Sequence, residues 1–229
     1  MSADIDRGRH RVKDPVADPG RRARAVFWDK VAGLYDLFEN IYNKKVYRET
    51  GQRVAEKIQK TDEVLECACG TGAISRYIAD KCKHLTATDY SEGMLKQAKK
   101  HLASKANVVF ARVDITHLPY EDQRFDVVVA GNVIHLLPDP QKAMEELLRV
   151  CKEGGKVILP TYINKSEKSS RAAVKFLEKL GADFKQQFDA DSYRRFFEDM
   201  HLTKTEFTIV EGRMPCDIAV ITKERVEEK

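Results

Sequence analysis

The chain has 229 residues, 42% hydrophobic and 33% charged, a balance that suits a globular fold with one ample core. It has no apolar run of bilayer length and no apolar middle segment of a secretory signal near its N-terminus, so a membrane span is not expected. The net charge of +4 is too mild to argue for nucleic acid, and five scattered cysteines read as reduced thiols of a cytoplasmic protein rather than a disulfide framework.

Residues 1–24 are polar, rich in Arg and broken by Pro15, Pro19 and Gly20, the composition of a disordered basic tail or leader. From Val26 apolar residues recur at helical spacing through Val31, Leu34, Leu37, Phe38 and Ile41, and a second helical run covers about 47–58. These helices precede the first strand, so residues 25–60 are expected to form a helical lid. Strands follow at 64–68, 85–88, 108–111, 126–130 and 156–159, with helices at 73–81, from Ser91 through Leu102, and at 143–150. Gly154-Gly155 reads as a turn into the fifth strand. This rhythm predicts a parallel sheet with helices on both faces. After Tyr162 come a helix closed by Gly181, a helix at about 190–200, and two alternating segments at 204–210 and 217–222 that read as an antiparallel hairpin. The expected fold class is α/β: a seven-stranded, mostly parallel Rossmann-like sheet with a C-terminal antiparallel hairpin. Residues 25–223 are read as one domain and 224–229 as a short tail.

The chemistry concentrates at Glu66-Cys67-Ala68-Cys69-Gly70-Thr71-Gly72, where a strand enters a glycine turn before a helix. A ligand across such a turn can meet backbone N–H groups and the positive end of the helix. Asp89 ends the second strand and is placed to hold ribose hydroxyls. The turn fits no P-loop, G-x-x-x-x-G-K-S/T. It also lacks the third glycine of the dinucleotide fingerprint, because Ser75 stands there, which weighs against NAD. Cys67-x-Cys69 has no second pair at ligand spacing, so no metal is expected.

Glu66 to Gly72 resembles motif I, D/E-x-G-x-G-x-G, of the class I, Rossmann-like S-adenosylmethionine-dependent methyltransferases. Asp89-Tyr90-Ser91-Glu92-Gly93-Met94-Leu95 resembles their D-x-S-x-x-M-L, and Asp114-Ile115 with Leu118-Pro119-Tyr120 resembles D-A/I-x-x-L-P-F/Y. Phe125-Asp126-Val127-Val128, Asn132-Val133-Ile134-His135 and Leu147-Leu148-Arg149-Val150 with Gly154-Gly155 follow in the family's order, over about residues 26–222. Val31-Ala32-Gly33-Leu34-Tyr35-Asp36 is similar to the V-A-x-x-Y-D of the ubiquinone and menaquinone biosynthesis branch. Two departures stand out: Ala68 replaces the usual first glycine, and Cys151-Lys152-Glu153 replaces L-K-P.

The resemblance implies S-adenosylmethionine as cofactor and methyl transfer to a small-molecule acceptor, lipophilic in the quinone branch. Glu66, Gly70, Thr71 and Gly72 would serve its methionine side, with Ala68 in the same cofactor-binding turn and Tyr35 on the lid helix a cofactor-side contact. Asp89 would hold the ribose, Tyr90 and Met94 would pack on adenine, Asp114 and Ile115 would serve the adenine edge, and Asn132 and Val133 would follow the fourth strand. His135 is the candidate general base, with Arg112, His117 and Tyr162 behind it. Residues 162–203 are the expected acceptor side, with Phe176, Phe184, Phe188, Tyr193, Phe196 and Phe197 either an apolar pocket or core. A catalytically silent binder of the same cofactor and an NAD-dependent oxidoreductase are the alternatives. Neither a nucleic-acid partner nor stable membrane insertion is expected, and the oligomeric state is left open.

Overall fold

Alternation decides the architecture. In the computed structural model, which describes residues 28–29, 43–164 and 187–225, seven strands form one sheet. The strands are β1 (Glu63–Cys67), β2 (His84–Asp89), β3 (Val108–Arg112), β4 (Phe125–Ala130), β5 (Cys151–Tyr162), β6 (Thr205–Val210) and β7 (Cys216–Thr222). Their order is β3-β2-β1-β4-β5-β7-β6, with the first five parallel and β7 antiparallel to both neighbours. The helices are α1 (Lys44–Glu56), α2 (Ser75–Ala79), α3 (Glu92–His101), α4 (Pro140–Val150) and α5 (Ala190–Asp199). The expected N-terminal tail, Tyr35 with the rest of residues 25–27 and 30–42 of the expected lid, and residues 165–186 of the acceptor side lie outside the described residues.

Successive side chains of a strand point to opposite faces, and here each face has its own core. Val64, Val127, Val129, Ile158, Ile218 and Val220 meet Val54 of α1, Ile78 of α2 and Leu95 of α3. Leu65, Val128, Val157, Leu159, Ala219 and Ile221 meet Met144 and Leu147 of α4 and Phe197 of α5. Central strands covered on both sides must be apolar almost throughout, as Val127, Val128, Val129 and Ala130 are. The aromatics of α5 belong to this second core: Tyr193 and Phe197 are buried and stack edge-on, 5.1 Å between centroids, with Phe188, Phe196 and Phe207 around them. They fill the interior rather than line a pocket. Phe176 and Phe184 lie outside the described residues.

Three local expectations change. The first crossover helix is shorter than 73–81, because residues 70–74 continue the glycine turn and α2 is only five residues long. Gly154-Gly155 does not turn the chain. β5 starts at Cys151, directly after α4, and bulges between the pairs Phe125–Cys151 and Val127–Lys156. Gly154 takes φ +73° there, its N–H donates to the Lys223 carbonyl, and the Lys223 N–H donates back to Gly155. The helix before β5 starts earlier, at Pro140, because the Asp139 carboxylate accepts from the Lys142 N–H and caps it.

Among the described residues no helix is long and apolar enough to cross a membrane.

Candidate functional site

A cleft opens at the carboxyl ends of β1, β2 and β4, where open α/β sheets place their ligands. Its floor is the turn after β1. Ala68, Gly70 and Gly72 have φ of +52°, +56° and +88°. The two glycines serve different ends. A Cβ on Gly70 would meet nothing within 4 Å, so its backbone faces open cleft, whereas one on Gly72 would come 3.1 Å from Leu102 at the end of α3.

Two of the turn's N–H groups already have partners: Gly70 N–H donates to Asp89 Oδ2 at the end of β2 at 2.9 Å, and Gly72 N–H donates to the Cys69 carbonyl at 2.9 Å. The five residues of α2 begin beyond it and add little dipole. What the turn offers a ligand is the Thr71 hydroxyl, which lines the cleft, is buried, and has no hydrogen-bond partner.

Two carboxyl groups line the same cleft. Glu66 is 2% exposed and accepts from the Ser75 hydroxyl, the side chain at the position a third glycine would occupy. Burial pushes the Glu66 carboxyl up to about 8, with Asp89 adding to the effect and Ser75 opposing it. Glu66 is therefore a neutral acid through most of the physiological range. Asp89, half-buried at the end of β2, also accepts from the Ser91 N–H at 2.8 Å. Burial pushes it up to about 6, the backbone N–H groups of Ser91, Gly70 and Tyr90 pull it down, and Asp29 pushes it further up. Each oxygen retains acceptor capacity for a second donor.

The remaining walls are largely those expected. Tyr90, Met94, Asp114, Ile115, Asn132 and Val133 all line the cleft, as do Glu66, Ala68, Gly70, Thr71 and Asp89; Gly72 supports it from behind. Asp114 Oδ1 accepts from both the N–H and the hydroxyl of Thr116, which fixes the loop after β3. Asn132 takes φ +52°, donates its N–H to Pro160 at 2.7 Å and accepts from Tyr162 N–H through Oδ1, tying the end of β4 to β5.

The expected bases do not gather here. His135 sits in a 3₁₀ turn, Ile134–Leu136, buried and outside the cleft wall, while its neighbours Leu136 and Leu137 line it. Burial lowers its imidazole to about 4, so it is neutral and weakly basic. Arg112 lies over the Tyr90 ring and donates to the Tyr90 carbonyl; His117 meets Thr116 and Lys142; Tyr162 packs on Tyr47. None of these three lines the cleft.

Trp28 and Tyr47 do, and sequence reasoning missed both. Trp28 is the chain's one tryptophan, a signal that was available. Asp29 beside it accepts from Ser91 Oγ at 2.5 Å and from Gly93 N–H at 2.9 Å.

The sheet order and the place of this cleft are Rossmann-like, and comparison with known proteins shows what the chain is similar to. Residues 65–159 match the methyltransferase domain family. A demethylmenaquinone methyltransferase from Clavibacter sepedonicus is 32% identical over 138 residues, 59% of this chain and 56% of that protein. One from Staphylococcus aureus strain JH9 is 32% identical over 137 residues, 57% of this chain and 56% of its own length. The chain spans about half the length of the curated relatives it matches. Among solved structures, a SAM-dependent methyltransferase from Thermotoga maritima superposes with a TM-score of 0.69 at 17% identity, covering 87% of this chain and 99% of that one. The DhpI–SAH complex gives 0.68 at 17% identity, covering 90% and 98%; at such identities the likeness is one of fold. Over residues 65–159 the chain is thus similar to methyltransferase domains, and over somewhat more than half of its length it is similar to quinone-biosynthesis methyltransferases.

Proposed function

We propose that this protein transfers a methyl group from S-adenosylmethionine to a small-molecule acceptor, and that a quinol-type lipophilic acceptor is the first to test. The observation that carries the reading is the convergence of Asp89, Asp114, Glu66 and the unpartnered Thr71 hydroxyl on one cleft with an apolar wall of Met94 and Ile115. That donor and acceptor set fits an adenosine joined to an amino acid. When bound, S-adenosylmethionine supplies a methyl carbon activated by its sulfonium. Asp89 accepts from the ribose hydroxyls, Asp114 from the adenine amine, and Met94 and Ile115 cover the adenine ring. Thr71 and Glu66 take the methionine end, where a cationic ammonium favours ionised Glu66. The residues contribute chiefly by positioning the reactants and keeping water out. His135 is read as a neutral structural group, because a group outside the cleft and held near 4 is a poor proton acceptor there. The acceptor preference is supported by the demethylmenaquinone methyltransferases among the relatives. The five free, buried cysteines support a reducing compartment.

Calorimetric titration with S-adenosylmethionine, S-adenosylhomocysteine and NAD tests the cofactor, and a screen of quinol, phenol, thiol and amine acceptors with product mass analysis tests the reaction. S-adenosylhomocysteine is expected to bind, and Asp89→Ala to weaken it at least tenfold, about 1.4 kcal/mol. Binding of NAD alone would overturn the reading. Tight S-adenosylhomocysteine binding with no product from any acceptor would favour a silent binder.

A further inference from the structure

The chain's single tryptophan stands in the cofactor cleft, and the residue after it is fastened to the cleft wall. One carboxylate oxygen, Asp29 Oδ1, accepts from the Ser91 hydroxyl at 2.5 Å and from the Gly93 N–H at 2.9 Å. Ser91 Oγ in turn accepts from the Met94 N–H at 3.1 Å, so the cap of α3 and the seat of Asp29 share one hydroxyl. The backbone of residue 29 lies flat on the first turn of α3. A Cβ built on Gly93 would fall 2.8 Å from Asp29 Cα and 2.9 Å from its carbonyl oxygen. Tyr90, Ser91 and Met94 line the cleft at this same turn, and Trp28 lines it one residue from the seat.

We propose that Trp28 is a contact of the bound nucleoside cofactor and that Asp29 is the positioning residue that seats it, through Ser91 and Gly93. The inference rests on the cofactor reading above. An indole supplies a large apolar plane with little entropy to lose, which suits a wall beside an adenosine. Seating it through a side chain that also caps α3 links the wall to the helix that carries Met94. Gly93 has a role on this view that helix propensity alone would not give it. In an exposed first turn alanine would be the better residue; here its methyl group collides with residue 29.

The lone tryptophan makes the test direct. Intrinsic emission of the full chain is titrated with S-adenosylhomocysteine, beside calorimetry on the same samples. A saturable emission change is expected, with the midpoint that calorimetry gives. Asp29→Ala should lose most of that change and weaken binding about tenfold, Asp29→Asn should restore both because its amide oxygen can accept the same two bonds, and Gly93→Ala should reproduce the Asp29→Ala result. Calorimetric binding with unchanged emission would overturn the role of Trp28. Wild-type affinity in both Asp29→Ala and Gly93→Ala would overturn the seat. Absence of binding by the unaltered chain in calorimetry would instead remove the cofactor reading itself, so the two failures are separable.

Discussion

Glu66 is a fully enclosed carboxyl whose neutral form the fold prefers, and this has a sign that can be checked. Its folded value of about 8 lies above the ordinary 4.5, so the folded state holds a proton that the unfolded chain releases. The resulting stability is fully present below about 4.5 and is lost as pH rises through 8. Over that window one proton changes stability by up to about 1.4 kcal/mol per pH unit. Glu66→Gln keeps the shape of the neutral acid and cannot ionise, so urea midpoints from pH 5 to 9 should fall less steeply in the variant; parallel slopes would mean Glu66 is ionised throughout. Ala68 offers a second check at this scale. It holds φ +52°, a conformation that costs an L-residue about 1 kcal/mol. Ala68→Gly should therefore raise the midpoint of thermal unfolding, by about 1 kcal/mol at most once the extra freedom of glycine in the unfolded chain is counted. A lower midpoint would show that the methyl group packs usefully. The substitution of the usual glycine was plain in the sequence; the left-handed backbone beneath it was not, because alanine does not announce that conformation as glycine or asparagine does.

At the level of elements, α4 is held to the loop after β3 above all by Arg149, with Glu146 and Lys142 beside it. Arg149 donates to the carbonyls of Leu118 and Tyr120 and to the carboxylates of Glu146 and Asp122, while Glu146 accepts from the Leu118 N–H. The guanidinium and Glu146 hold each other charged: Arg149 is raised, and Glu146 is lowered by the Arg149 bonds despite some desolvation. Arg149→Ala leaves two carbonyls and two carboxylates short of donors and should cost about 2 kcal/mol in chemical denaturation, with Arg149→Lys recovering only part because an ammonium cannot span the fork. A loss below about 0.5 kcal/mol would show that water replaces it. The strands were legible because a buried parallel strand must be an apolar run, and 126–130 is one. The Ser91 cap was legible because a hydroxyl before a helical run has one common use. The bulge at Gly154-Gly155 was not, since paired glycines signal departure from regular backbone without saying whether the chain leaves the sheet. Trp28 escaped notice because two adjacent aromatics, Phe27 and Trp28, at the edge of a polar stretch create no periodicity, and Gly93, which its neighbour Asp29 contacts, lies 65 positions away.

For the whole molecule, the topology separates two halves that mature differently. The parallel set β3-β2-β1-β4-β5 is complete at Tyr162, and every cleft-lining residue precedes that point in the chain, whereas β6 and β7 extend the edge beyond β5. Among the described residues β6 pairs only with β7, and β7 lies between β6 and β5 although it follows β6 in the chain. A chain stopped after residue 215 should leave the amides of 205–210 open to hydrogen exchange, while those of β1 and β4 stay slower; protection of 205–210 would show that β6 finds another partner. The same order of strands bears on biosynthesis. A nascent chain emerging from the ribosome can assemble the cleft-bearing sheet before residues 205–222 are made, but β6 must wait unpaired until β7 follows and slots in against β5. Loss of residues 216–222 by premature termination would thus leave a cleft-bearing half beside an unpaired, aggregation-prone strand edge, rather than a slightly shorter copy of the same fold.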